Sequence, residues 1–298
     1  MVYSESPVAT ELIPPLDPEL LSLSDAESSF LRSTTSLNDD ELRKRILDIQ
    51  KRAYEEYPYP CVRAFHFVNL MMAANPIYSA VLEAGKTDRT LFLDLGCHMG
   101  TDLRKLVYDG YPASNVVGCD LRQEYFDFGY ELFGDRDRCP IRFFAGNIFD
   151  LPDVAAHTAV VQETHPPNLA SVDNLSQLRG NLTHIYTGAL FHLFNEETQY
   201  QLAIRLALLL KRTPGAIVFG RHHGLEHAGK VDDHLGRDRY AHSETSWPAL
   251  WKKVFIEVEG EAFVDKIVVW AKLTDGFTPN VFGAKKQHRM LYWSVQIV

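Results

Sequence analysis

Asp94-Leu95-Gly96-Cys97-His98-Met99-Gly100 closes a short apolar run with an acid and then turns on two glycines. Gly96 lets the backbone turn tightly, and Gly100 opens the following helix so that its N-terminal amides can face a ligand. Twenty-four residues past Gly96 a second apolar run ends at Asp120, where a carboxylate can accept hydrogen bonds from both hydroxyls of a ribose. Leu121 beside it offers an apolar surface to a purine. After a third run, Gly146-Asn147-Ile148-Phe149 sets an amide next to apolar groups, suited to the edge and face of adenine.

The ligand these groups describe is a nucleoside carrying an amino acid, S-adenosylmethionine. Its carboxylate would lie at the Gly96–Gly100 turn, and Asp94 would accept from its ammonium directly or through water. Asp120 and Leu121 would hold ribose and adenine, with Asn147, Ile148 and Phe149 around the base. Cys97 and Ala189, at the first and fourth strand ends, complete the candidate contacts. A dinucleotide site also uses an acid-ended second strand, but it wants G-x-G-x-x-G. Here the matching positions are Gly96, His98 and Thr101, so two of three glycines are missing. Many methyltransferases carry glycine where His98 stands, so the backbone bends differently there or His98 faces the cofactor.

For chemistry on an acceptor, His192 in ALFHLF lies just past the fourth strand, where a transferable methyl group should point. An unperturbed imidazole, with a pKa of about 6.5, suits a general base. It can equally cap or pack against the next helix. His222 and His223 follow the fifth strand in GRHHG and face the same rim. Arg63 and His66, after YPYPC, can reach over the pocket, and an arginine there would suit a substrate carboxylate. Tyr57, Tyr59, Phe65 and Phe67 read either as walls of a lid or as the interface between N-terminal helices and the sheet, and Trp247 and Trp251 share that ambiguity. The histidines from His222 to His242 lack the helical i, i+4 pair with an acid between that a metal site of the H-E-x-x-H kind needs, so no metal is expected.

The elements that must position these residues follow from periodicity. LFLDL, NVVGCD, IRFFAG, HIYTGAL and GAIVFGRH read as short buried strands alternating with helices, which predicts a parallel sheet covered on both faces. FVDKIVVWA and HRMLYWSVQIV come without a helix between them, as an antiparallel hairpin at the sheet edge. The expected fold is therefore α/β, a Rossmann-like sheet of seven mostly parallel strands. Ligands on such sheets bind outside the carboxyl ends of the strands, where the strand order switches. The chain divides into an N-terminal arm and helical extension or lid over residues 1–85 and a cofactor-binding domain over 86–298. Residues 1 to about 37, rich in Ser, Pro and acids, read as an irregular or loosely docked arm. Asn38-Asp39-Asp40 caps a helix running through ELRKRILDIQKRAYEEY, and VRAFHFVNLMMA reads as another.

YPYPCVRAF, FLDLGCHMGTDLRKLVYDG, CDLRQEYFDFGYELF, AGNIFD, YTGALFHLFNEETQ, GRHHG and LWKKV, spanning about residues 57 to 255, resemble the fungal secondary-metabolite methyltransferases that act on meroterpenoids and related polyketides. The resemblance implies a class I S-adenosylmethionine-dependent enzyme, some members being homodimers, that methylates a carboxylate or an enolic or phenolic hydroxyl of a small hydrophobic substrate. It matches Asp120-Leu121 and Asn147-Ile148-Phe149 to the family's cofactor contacts. A non-catalytic cofactor-binding regulator on the same fold is the alternative reading.

Composition narrows the partners. With 46% hydrophobic and 23% charged residues the chain is of ordinary globular type, and 30 basic against 39 acidic residues give a net charge of −9. No Lys/Arg stripe offers a nucleic acid the basic footprint it would need. The apolar runs are too short for a bilayer, and the N-terminus lacks the basic start and apolar core of a signal peptide. Cys61, Cys97, Cys119 and Cys139 form no C-x-x-C pair and read as reduced thiols, so a cytoplasmic protein without membrane or nucleic-acid partners is expected.

Overall fold

The computed structural model describes residues 13–86, 90–152, 167–231, 236–277 and 289–298. In chain order the N-terminal helices are α1 (Asp25–Thr35), α2 (Asp39–Glu56), the single turn α3 (Pro60–Arg63) and α4 (Tyr78–Lys86). Then come β1 (Phe92–Leu95), α5 (Thr101–Tyr108), β2 (Val116–Asp120), α6 (Gln123–Phe133) and β3 (Arg142–Ala145). The second half holds β4 (His184–Gly188), α7 (Glu196–Leu209), β5 (Ile217–Gly224), β6 (Gly229–Val231), β7 (Arg239–Ala241), α8 (Ser246–Glu259), β8 (Ile267–Phe277) and β9 (Arg289–Ile297).

Seven strands form one sheet in the order β3-β2-β1-β4-β5-β9-β8. β1 to β5 are parallel, while β9 lies antiparallel between β5 and β8. The chain steps outward through β2 and β3 and then returns to place β4 on the other side of β1. The switch point, and so the crevice for a ligand, lies at the carboxyl tips of β1 and β4. This is the mostly parallel, Rossmann-like sheet of seven strands read from the sequence, edge hairpin included. The separate two-stranded ribbon of β6 and β7 was not expected, because three-residue strands show no periodicity.

Leu93, Val117, Ile185 and Val218 are fully buried, which is why these strands read as unbroken apolar runs. One face of the sheet is covered by α7 and α8. The other is covered by α4, α5 and α6, through Tyr78, Leu103, Leu106 and Phe126. A third cluster joins α1 and α2 to Phe65, Phe67 and Val68, to Met99 of the first glycine turn, and to Tyr125 and Leu132 of α6. Among the described residues no helix is long and apolar enough to cross a membrane.

Two sequence expectations need correction. Much of the supposed loose arm is docked: Ser24 and Glu27 cap α1 reciprocally, and Phe30 and Leu31 are buried. Residues 1–12 lie outside the described residues. The expected helix over VRAFHFVNLMMA is also absent. α3 ends at Arg63, and Phe65 takes a left-handed backbone with φ of 58°. Side chains from elsewhere hold the released backbone groups, so tertiary partners replace a helical ladder. Gln50 Nε2 donates to the carbonyl of Arg63, Thr101 Oγ1 to that of Phe67, and Asp102 Oδ1 accepts from the amide of Met72.

Candidate active site

The first glycine turn is shaped by three consecutive devices. Gly96 has φ of 79°, His98 53° and Gly100 72°, so the chain folds back three times before α5 begins. The amide of Gly96 donates to the carbonyl of Cys119 and that of Gly100 to Cys97. The amide of His98 donates to Asp120 Oδ2 at 2.7 Å. A left-handed histidine costs roughly 1–2 kcal/mol, and ring packing offsets it: the imidazole lies 4.1 Å from the Tyr125 ring and 6.4 Å from Phe67. Burial pushes its pKa down to about 3, so it is a neutral packing group.

The strand tips converge on this turn. Asp94 is 2% exposed, its Oδ1 has no hydrogen-bond partner, and burial holds its carboxyl well above the usual range. Asp120 Oδ1 accepts from the Arg122 amide at 3.3 Å, and burial pushes its carboxyl up to about 6. Leu121 is 43% exposed, which leaves its side chain free to cover a ligand. The Arg122 guanidinium lies 4.1 Å over Tyr57, whose ring packs on Tyr59 and Tyr125. Phe65 and Phe67, by contrast, belong to the core.

Asn147 caps the turn Ile148–Asp150 by accepting from the Phe149 amide at 3.0 Å, so its oxygen is engaged and its NH2 is the group presented as donor. Ile148 is buried, and Phe149 packs edge-on to Phe194 with ring centroids 5.5 Å apart. At the tip of β4, Ala189 is left-handed with φ of 58° and its amide donates to the Arg221 carbonyl at 2.7 Å. Asp94, Gly96, Cys97, Gly100, Asp120, Leu121, Asn147, Ile148, Phe149 and Ala189 thus all stand on the carboxyl rim of β1 to β4.

The candidate acceptor residues are placed less uniformly. His192 is buried beside the rim, its ring stacked on that of His223 at 4.1 Å. Its Nδ1 accepts from the His223 amide at 3.4 Å, which puts the proton of the neutral ring on Nε2. Burial first, then neighbouring positive groups, holds His192 well below the usual imidazole range. His222 lies within β5, which runs on to Gly224, and not after it. It points into the α8 face, accepting from Trp293 Nε1 at 3.0 Å and packing on Trp247 at 4.4 Å. Trp247 and Trp251 are fully buried core there. Arg63 Nε donates to the Pro15 carbonyl at 2.7 Å, fastening the N-terminal arm.

Sequence reading missed three groups at this crevice: Tyr186 on β4, Asp102 in the first turn of α5 and Arg221 on β5. Tyr186 was legible only as an apolar strand residue. Two surface hollows, of about 400 and 290 Å³, lie at the end of α6 and the amino end of β3, on the opposite rim.

The family described as Meroterpenoid methyltransferase N-terminal domain matches residues 16–68. The Asnovolin E/Chermesin D methyltransferase nvfJ of Aspergillus novofumigatus is 30% identical over 256 residues, 86% of this chain and 84% of that protein. The methyltransferase prhM of Penicillium brasilianum is 30% identical over 265 residues, 85% of this chain and 86% of that protein. The O-methyltransferase phiE of Fungal sp. (strain ATCC 74256) is 32% identical over 214 residues, 71% of this chain and 65% of that protein.

Proposed function

Because this chain belongs to the family of fungal methyltransferases that includes nvfJ and prhM, we propose that it methylates an oxygen of a small hydrophobic secondary metabolite. The oxygen is that of a carboxylate or of an enolic or phenolic hydroxyl, on a meroterpenoid or polyketide scaffold. The O-methyltransferase names of phiE and of atr3 from Stereocaulon alpinum support oxygen as the acceptor atom. When bound, S-adenosylmethionine supplies an electrophilic methyl group on a sulfonium.

The observation that carries the cofactor reading is the unpaired, buried Oδ1 of Asp94 at the switch point of the sheet. A buried carboxylate oxygen without a donor costs free energy, and an ammonium supplies both the donor and the counter-charge. Asp94 is therefore the ammonium acceptor. Asp120 accepts the ribose hydroxyls while its other lone pairs hold His98 and Arg122. Leu121, Ile148 and Phe149 enclose adenine, and Asn147 donates to its edge. The backbone at Gly96, Cys97, Gly100 and Ala189 provides close approach and amides.

His192 is the group nearest to an acid–base role, but its environment favours the neutral ring with a donating Nε2–H. Such a group can orient or hydrogen-bond an acceptor oxygen more readily than it can take a proton from it. A carboxylate acceptor, already ionised near neutral pH, needs no base, and the remaining requirement is positioning at attack distance with water excluded. His222 and Arg63 are assigned to the core and to the arm. Residues 1–85 act as the extension that closes the crevice, the protein works in the cytoplasm, and it pairs as a homodimer in this reading.

Calorimetric titration with S-adenosylhomocysteine tests the site. Wild type should bind, and Asp94→Asn should weaken binding about tenfold or more. Absence of binding by the wild type would end the cofactor reading.

A further inference from the structure

We propose that Arg221, together with the Tyr186 hydroxyl, forms a buried carboxylate receptor, and that it, in place of the Gly96–Gly100 turn expected from the sequence, takes the carboxylate of the amino-acid half of S-adenosylmethionine. This rests on the cofactor reading above.

Arg221 is the register partner of Gly188, at the tip of β4. Phe219, two residues earlier, packs with Tyr186 on the α4–α6 face, whereas His222 joins the tryptophans on the other. Alternation along the strand sends Arg221 to the side of Tyr186. Asp94 is the register partner of Tyr186 and lies on that side too. The three side chains therefore come from neighbouring strands β1, β4 and β5 and share one face of the sheet.

Arg221 is 8% exposed and its Nε has no hydrogen-bond partner. One terminal nitrogen touches the Met71 sulfur, a weak acceptor that carries no charge. Among the described residues the guanidinium makes no ion pair. Its field reaches His66, Asp102 and Tyr186, which places the charge under the segment 66–72. Asp102 lies within that field but forms no ion pair with the guanidinium, its Oδ1 being taken by the Met72 amide. Tyr186 is 2% exposed and its hydroxyl also lacks a partner.

A buried arginine without a carboxylate is costly, and its planar N–H edge matches a carboxylate bidentately. Asp94 and Arg221 stand two strand intervals apart, about 10 Å between backbones, with β4 between them. One presents an unpaired acceptor and the other an unpaired cationic donor. That is the complement of an α-amino acid zwitterion, ammonium at one end and carboxylate at the other.

The test compares S-adenosylhomocysteine with its decarboxylated analogue, which keeps nucleoside, thioether and amine. Both are titrated calorimetrically into wild type, Arg221→Met, Arg221→Lys and Tyr186→Phe, each checked for folding by circular dichroism. Wild type should prefer the carboxylated ligand about 10- to 100-fold. Arg221→Met should erase most of that preference by weakening S-adenosylhomocysteine alone, and Arg221→Lys should keep part of it. Where the Arg221 variants fail to fold, the wild-type preference and its reduction in Tyr186→Phe decide. Equal affinity of wild type for both ligands overturns the proposal, as does equal weakening of both in Arg221→Met. Unchanged S-adenosylhomocysteine affinity with a raised KM for the acceptor would hand the carboxylate to the acceptor and overturn it likewise. Failure of wild type to bind either ligand is a separate result that sinks the cofactor reading itself.

Discussion

The amide of His98 and the carboxylate of Asp120 meet at 2.7 Å, so the turn after β1 is fastened to the tip of β2. The acid that would hold a ribose is therefore also the anchor of the loop that would hold the amino acid. The two halves of one ligand site are joined through this hydrogen bond, alongside that from the Gly96 amide to the Cys119 carbonyl.

Asp120→Ala should weaken S-adenosylhomocysteine about 10- to 100-fold, since it removes an ionised acceptor and frees the loop. Asp120→Asn keeps an acceptor for His98 and should lose less. Calorimetry decides, and an affinity within threefold of wild type for the alanine variant would remove Asp120 from the site.

At position 98 the left-handed backbone should make glycine better than alanine. Both variants lose the ring contacts with Tyr125 and Phe67, but only alanine keeps the strain at φ of 53°. His98→Gly should be more stable than His98→Ala by about 1 kcal/mol in urea unfolding. The reverse order would mean that this turn has another conformation in solution.

Gly129 is a contact between α6 and the same loop. A Cβ there would stand 2.2 Å from the Met99 carbonyl oxygen, and backbone cannot step aside as a flexible side chain can. Gly129→Ala should lower stability by about 1–3 kcal/mol and weaken the cofactor with it. A variant with wild-type melting temperature would show that helix and loop do not touch.

Stability should fall between pH 7 and pH 5. Burial lowers His98 to about 3, His66, His184 and His242 to about 4, and His192 and His222 well below the imidazole range. A depressed histidine stabilises the fold above its unfolded pKa of about 6.5, and that stability drains away as pH falls toward the folded value. Each costs up to about 2 kcal/mol by pH 5. Asp94, Asp102 and Asp120 are raised and work in the opposite direction, stabilising as pH falls. Six histidines outweigh three carboxyls, so the melting temperature should drop on acidification. A higher melting temperature at pH 5 than at pH 7 would contradict this.

His192 should leave no mark on the pH dependence of turnover. Burial holds its pKa well below the usual imidazole range, so kcat measured with labelled S-adenosylmethionine and a fungal metabolite extract should lack a limb near 6.5 that depends on it. Such a limb, present in wild type and absent in His192→Asn, would identify a freely titrating base.

The strand ends were legible because each couples an unbroken apolar run to an acid or glycine at the same place. Asn38 was legible as a cap, for the same local reason. What the sequence concealed depends on distant partners. Residues 64–72 carry an apolar pattern suited to a helix, yet Gln50, Thr101 and Asp102 take up their backbone groups. The α1 capping pair Ser24 and Glu27 was hidden in a stretch whose Ser, Pro and acid content suggested an arm. Arg221, a lone cation in GRHHG, shows its burial and its company only once β4 lies beside β5.

The bond from Thr101 to Phe67 and that from the Met72 amide to Asp102 tie residues 67–72 to the first turn of α5. On the proposed function, the lid and the helix end beside the amino-acid half of the cofactor thus share one anchorage. On the same reading, release of the demethylated cofactor should be coupled to fraying of that single turn, and the residence time of product should follow it.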